Sequence, residues 1–220
     1  MNTKTQSPTP VGGDLVEPQA LLTEQQLSGY KLAEQKIEML LQENPWITPE
    51  QLERSFARIM AENASTRSKR AKAIEITNRV ATALAPYVAC KKGCSSCCHM
   101  NTMIYEHEAV HLAKVSGRRM LHLRYRPLDE VYKKGKEFNG KPCPFLVDGA
   151  CSVYEDRPLV CRTHHSLFDD ATWCSMDDPG ANKFGPPMYE PDLLETPYRK
   201  LNAKDWPAEP WGNIREFFPE

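Results

Sequence analysis

Four cysteines stand within nine residues, Cys90-Lys91-Lys92-Gly93-Cys94-Ser95-Ser96-Cys97-Cys98, with the spacing C-x3-C-x2-C-C. Thiolates at this density do metal chemistry. A tetrahedral zinc or an iron–sulfur cluster needs several sulfurs within a few ångströms, and a C-x2-C pair supplies two of them from one tight turn. Cys94 and Cys97 have that spacing, and Gly93 gives the backbone freedom to make the turn. Cys90 adds a third sulfur close by. Cys98 is adjacent to Cys97, and neighbouring side chains do not easily reach one ion in a relaxed geometry. One of the two is left to bind a second ion, to bridge two ions, or to face another group of ligands.

Such a group follows downstream. Cys143, Cys151, Cys161 and Cys174 complete the chain's eight cysteines at the looser spacing C-x7-C-x9-C-x12-C. Alone this would be a weak signal; beside the first cluster it is a natural partner. We expect the two halves to meet at a metal site for zinc or iron, as one binuclear site or two nearby ones, an iron–sulfur cluster included. Arg157 and Arg162 fit such a site, because several thiolates around a divalent ion leave excess negative charge and guanidinium groups donate hydrogen bonds to sulfur. Surface ion pairs with Glu155 and Asp156 are the equally weighted alternative.

In order, spacing and flanking residues, this region resembles a known family. Cys90-x3-Cys94-x2-Cys97-Cys98, then Cys143-Pro144-Phe145-Leu146, Cys151-Ser152-Val153-Tyr154-Glu155, Arg157-Pro158 and Cys161-Arg162, are similar to the YkgJ-type cysteine-cluster family. A similar cluster occurs in flagellin lysine N-methylases. The resemblance covers roughly Cys90 to Cys174 and implies chelation of zinc or iron. It implies little about a reaction, and it does not reach the N-terminal residues or the acidic C-terminal stretch.

A second metal motif is weighed beside it. His107-Glu108-Ala109-Val110-His111 reads H-E-x-x-H, the helical pattern that puts two histidines on one zinc with the glutamate as general base. Against a zinc hydrolase stand the charged Glu106 just before it and the lack of a third ligand at a familiar spacing. We read an amphipathic helix with two partly exposed histidines. His99, His164 and His165 lie near cysteines; each reads first as a surface or satisfied core histidine, with His99 the best outside ligand.

These residues need a scaffold. Residues 1–19 are rich in Pro, Gly, Ser and Thr and read as a disordered arm. Three helices should fill residues 20–88. The first runs from about Glu17 to Asn44, where Pro45 stops it. The second opens at Thr48-Pro49-Glu50-Gln51 with a capping box and carries Leu52, Phe56, Ile59 and Met60. The third spans Ser65 to Val88, with Ile76, Val80, Leu84 and Val88 on one side and Pro86 closing it. Its basic first turns, Arg67, Lys69, Arg70 and Lys72, read as a solvated face.

The cysteine domain is placed at residues 89–176. Within it we expect a helix over Tyr105–Val115 ended by Ser116-Gly117, and helical structure over Arg118–Phe138, interrupted or restarted at Pro127. A turn follows at Asn139-Gly140 and a hairpin at Asp148-Gly149. Residues 177–220 read as an irregular, Pro-rich tail wrapping the core and anchored by Trp206, Trp211, Phe217 and Phe218. From Asp169 to Glu220 the chain holds 11 acidic and 5 basic residues, a net of −6. The fold class expected is mainly α, with a loop-dominated metal core and little strand.

Bulk properties bound the rest. The formal net charge is −1 over 220 residues, which gives no global argument for nucleic acid or an acidic membrane surface. No apolar run approaches the roughly 20 residues needed to span a bilayer. The opening residues lack the apolar core of a signal peptide. We therefore expect a cytoplasmic protein, where clustered thiols are metal ligands or catalytic groups more often than disulfides. A metal ion is the expected partner; a protein partner is left open.

Overall fold

The computed structural model describes residues 23–171, 174, 186–203 and 209–219. Within them the fold is mainly α with little strand, as expected. The expected disordered arm and Trp206 lie outside the described residues.

Helix α1 (Glu24–Glu43) starts on a capping box. The Thr23 hydroxyl accepts from the Gln26 backbone, and the Gln26 side chain accepts from the Thr23 backbone. Asn44 closes it just before Pro45. The expected start at Glu17 lies outside the described residues. Helix α2 (Pro49–Ala61) begins where expected, but Thr48 makes no side-chain cap. The Thr48 backbone carbonyl takes the Gln51 and Leu52 amides instead, at 3.0 Å each. Leu52, Phe56 and Ile59 are buried. Helix α3 (Thr66–Leu84) ends two residues before Pro86 and buries Ala73, Thr77, Val80 and Leu84. Its basic first turns are engaged rather than merely solvated. Lys69 donates to the Met60 carbonyl, Lys72 pairs with Glu62, and Arg70 pairs with Glu209 at 2.8 Å.

Strand β1 (Met103–Tyr105) leads into α4 (Glu106–Ser116), which stops at Gly117. That residue has φ 71°, the left-handed cap a glycine takes without strain. The expected helix from Arg118 does not form before Pro127. Residues 117–127 carry no regular structure, and α5 spans Leu128–Lys136. Tertiary contacts hold this stretch out of a helix. The Leu121 amide donates to the Phe217 carbonyl, and Arg126 forms a largely buried ion pair with Glu216 at 2.8 Å. Strands β2 (Leu146–Val147) and β3 (Ala150–Cys151) make the expected hairpin. Asp148 and Gly149 both have positive φ, 48° and 74°, as the tight turn favoured by twisted hairpins requires. Helix α6 (Leu159–Thr163) follows.

The C-terminal stretch corrects the expectation of irregular structure. Helix α7 (Pro191–Asn202), strand β4 (Trp211–Asn213) and helix α8 (Ile214–Phe217) are all regular. The high proline density suggested otherwise. Pro191, however, occupies the first helical turn, where its missing N–H costs nothing, and burial of Leu194, Tyr198 and Leu201 outweighs the interior Pro197. Strand β4 pairs antiparallel with β1, Met103 opposite Asn213 and Tyr105 opposite Trp211.

Two apolar clusters result. One joins α1, α2 and α3 to α6 and α7 through residues such as Leu40, Phe56, Val80, Leu159 and Leu194. The other joins β1, α4, the β2–β3 region and α8 through Ile104, Leu112, Phe145, Ile214, Phe217 and Phe218. Phe145 and Phe218 meet edge to face at 4.8 Å. The cysteine-bearing loops run beside both. Among the described residues no helix is long and apolar enough to cross a membrane.

Candidate metal centre

Both cysteine halves open onto one cavity of about 520 Å³. Cys90, Cys94, Cys97 and Cys98 line it from one loop, and Cys143, Cys151 and Cys161 line it from the other side. Cys174, the eighth, is buried nearby and interacts electrostatically with Cys90, Cys94 and Cys97. All eight thiols are free. Cys97 is the hub. Its thiol hydrogen-bonds with Cys98, and its ionisation would oppose that of Cys90, Cys143, Cys151, Cys161 and Cys174.

Backbone bonds hold the two loops together. The Ala89 amide donates to the Ser166 carbonyl at 3.0 Å, tying the entrance of the first loop to the exit of α6. The Gly140 amide donates to the His99 carbonyl at 2.8 Å, tying its exit to the turn ahead of Cys143. Arg215 completes the join. It is buried on α8, and its guanidinium donates to the carbonyls of Cys98 at 2.8 Å, Met100 at 3.1 Å and Pro142 at 2.9 Å, and to that of Lys141. One side chain thus pins residues on both sides of the cavity, and its charge also faces Cys98, Cys143 and Cys161. Nothing in its local sequence marks this role, because it stands in the acidic stretch far from every cysteine.

Donors already point at several sulfurs. The Ser166 amide reaches Cys90 Sγ at 3.2 Å, and the Ser166 side chain bonds to Cys174. The amides of Phe145 and Val153 bond to Cys143 and Cys151, each from two residues along the chain. Such donors stabilise thiolate over thiol. Burial acts the other way. It is the main force raising the Cys90, Cys143, Cys151 and Cys161 thiols, and it pushes Cys174 up to about 11. Cys97 is raised chiefly by its bond with Cys98 and then by burial. As free thiols these groups therefore stay protonated near neutral pH, and coordination has to displace their protons.

Both arginines weighed in the sequence line the cavity, and Arg157 acts on more of the sulfurs. Arg157 stacks over Tyr154 at 3.7 Å, and its charge favours ionisation of Cys90, Cys97 and Cys151. Its Nε is buried with no hydrogen-bond partner among the described residues. Arg162 interacts with the Cys161 charge and spends its hydrogen bonds on the carbonyls of Arg157 and Glu155 at 2.6 Å each and on Asn78 at 2.7 Å. Among the described residues neither pairs with Glu155 or Asp156, which bond to Lys92 and His111.

The histidines reverse their expected order. His164 and His165 line the cavity; His99, the better candidate by sequence, does not. His164 Nε2 is buried without a hydrogen-bond partner among the described residues. Burial, then the nearby Arg157 charge, lowers His165 to about 4 from its ordinary 6.5. The unfolded chain therefore takes up this proton first, and stability is lost as pH falls from 6.5 toward 4. The loss from this group is about 3 kcal/mol. Urea unfolding across that range should show His165→Asn losing less stability than the parent, so that the two curves converge on acidification. Parallel curves would contradict the assignment.

The H-E-x-x-H residues are occupied elsewhere. His107 uses Nδ1 on Glu209 at 2.9 Å and Nε2 on the Tyr198 hydroxyl at 2.6 Å. His111 pairs with Asp156 at 2.8 Å. Both Glu108 oxygens accept backbone amides, from Tyr105 at 3.0 Å and Leu159 at 2.9 Å. The motif caps α4 and ties it to α6 and α7.

Donor chemistry fits zinc or iron: seven sulfurs around one cavity, with Arg157 and Arg215 to offset thiolate charge. Closure is a separate matter, since among the described residues no three His, Cys, Asp or Glu groups are already arranged to hold an ion. Comparison with known families agrees with the donor set. Residues 89–179 match the CxxCxxCC domain model. Its description is "Putative zinc- or iron-chelating domain". The match supports a zinc- or iron-chelating role for the CxxCxxCC segment and leaves α1 to α3 and the residues after 179 outside it. Neither the curated proteins nor the solved structures yielded a match to this chain.

Proposed function

We propose that this protein holds zinc or iron in a polynuclear thiolate centre built from Cys90, Cys94, Cys97, Cys98, Cys143, Cys151, Cys161 and Cys174. The observation that carries the reading is the shared cavity: seven cysteines from two stretches of chain line one space. A single tetrahedral zinc takes four ligands, so this donor set exceeds one ion. Two zinc ions or an iron–sulfur cluster use it better. The N–H groups of Ser166, Phe145 and Val153 and the guanidinium of Arg157 then stabilise thiolates that burial alone would keep protonated.

The test is to purify the protein without oxygen and measure metal and acid-labile sulfide per chain, with a visible spectrum. Zinc above one ion per chain without sulfide supports a chelating centre that couples to folding. Iron with sulfide and visible absorption supports a cluster suited to electron transfer or a modification reaction. Metal-free protein with all eight thiols titratable would refute the proposal.

A further inference from the structure

A second cavity, of about 170 Å³, is lined by no cysteine, although Val160 beside Cys161 borders it. Four aromatic residues line it: Tyr105 beside β1's pairing with β4, Tyr132 on α5, Tyr198 on α7 and Trp211 on β4. Their rings form a connected wall. Tyr105 lies 6.1 Å from both Tyr198 and Trp211, and Tyr132 meets Trp211 edge to face at 5.4 Å. Two of the phenols are tethered outside the aromatic wall, Tyr198 to His107 at 2.6 Å and Tyr105 to Asn202.

The charge at this cavity is uneven. Glu195 lines it, but it accepts from the Thr163 hydroxyl at 2.7 Å and lies 3.9 Å from Arg199, which also lines it and bonds Asp192. Glu108 lines it too and is buried. Its oxygens accept two backbone amides; burial pushes its carboxyl up, and the charge of neighbouring His107, itself bonded to Glu209 and Tyr198, opposes that without forming an ion pair among the described residues. A buried carboxylate without a cation is costly. Aromatic faces beside such a group are the standard surroundings of an organic cation, which they attract through their quadrupoles while excluding water.

From these two observations we infer that the cavity binds an alkylammonium group, with Tyr105, Tyr132, Tyr198 and Trp211 around its methyl groups and Glu108 supplying the countercharge. Its volume lies below that of drug-sized sites and suits a head group rather than a large ligand. Tyr132 lines the cavity and is half exposed. The inference does not depend on the metal centre.

Titration of the purified protein with choline and with its uncharged tert-butyl analogue, followed by calorimetry, tests it. One saturable site for choline is expected, with the neutral analogue at least tenfold weaker. Tyr132→Ala, at an exposed position that leaves the fold intact, should weaken choline roughly three- to tenfold. Glu108→Gln should weaken it further, and circular dichroism shows whether that variant still folds. A peptide carrying trimethyl-lysine distinguishes a side chain from a free ion: tighter binding than choline places the ammonium on a chain. Equal affinity for choline and its neutral analogue, no saturable binding, or an unchanged Tyr132→Ala would overturn the inference.

Discussion

Arg215→Met should lower the unfolding free energy by about 3 kcal/mol or more and release bound metal with it. The magnitude follows from what the guanidinium serves. It donates to carbonyls at Cys98, Met100, Lys141 and Pro142, and each acceptor left buried without a donor costs about 1–3 kcal/mol. Water relieves some of that loss, which keeps the total below a simple sum. Metal release follows because the same bonds fix the exit of the Cys90–Cys98 loop against the approach to Cys143. Arg215→Lys should rescue little. An ammonium keeps the charge, but its donors radiate from one point and do not span four carbonyls set by a planar fork. Urea unfolding and metal content of the two variants check this together. A loss below about 1 kcal/mol with full metal retention would show that Arg215 does not join the two halves.

Removing the metal should have the other large effect. Apparent binding energies of structural zinc sites, about 10–16 kcal/mol, match or exceed the whole stability of a typical domain, about 5–15 kcal/mol. The loops Cys90–Cys98 and Cys143–Cys151 contain little regular structure to stand alone. Hydrogen exchange after chelation should therefore show these loops losing protection, while α1 to α3 and α7, which share their own apolar cluster, keep much of theirs. Among single variants, Cys97→Ser should cost much metal, because Cys97 lines the cavity and its thiol bonds to Cys98 beside it. Cys174→Ser should cost the least, since Cys174 stands outside the residues lining the cavity. Identical exchange with and without metal would mean that the centre does not support the fold.

Local chemistry made much of this legible in the sequence. The Asp148-Gly149 hairpin, the stop before Pro45 and the Gly117 cap each depend on one or two residues whose allowed backbone angles decide the outcome. The apolar faces of α2 and α3 depend on helical spacing. The cysteine clusters announce metal chemistry by type and density, and the CxxCxxCC match covers that same stretch.

The rest depends on partners distant in the chain. Residues 118–126 have helical composition, yet contacts with Glu216 and the Phe217 carbonyl hold them in irregular structure. Helix α7 forms in a proline-rich, acidic stretch because Leu194, Tyr198 and Leu201 find the N-terminal helices. Arg215 carries no local signature at all. Its meaning comes from β4 pairing with β1, which brings α8 beneath both cysteine loops. His164 and His165 outrank His99 for the same reason, since α6 and not the first loop delivers them to the cavity.

The central claim is that both cysteine groups serve one centre. Alkylation of the metal-loaded protein under anaerobic, non-denaturing conditions, with each cysteine located by mass spectrometry, tests it most directly. The account predicts that members of both groups, Cys90, Cys94 and Cys97 together with Cys143, Cys151 and Cys161, are protected and become reactive in concert when the metal is chelated. Protection confined to Cys90–Cys98, with the downstream cysteines labelled at the same rate with or without metal, would contradict it.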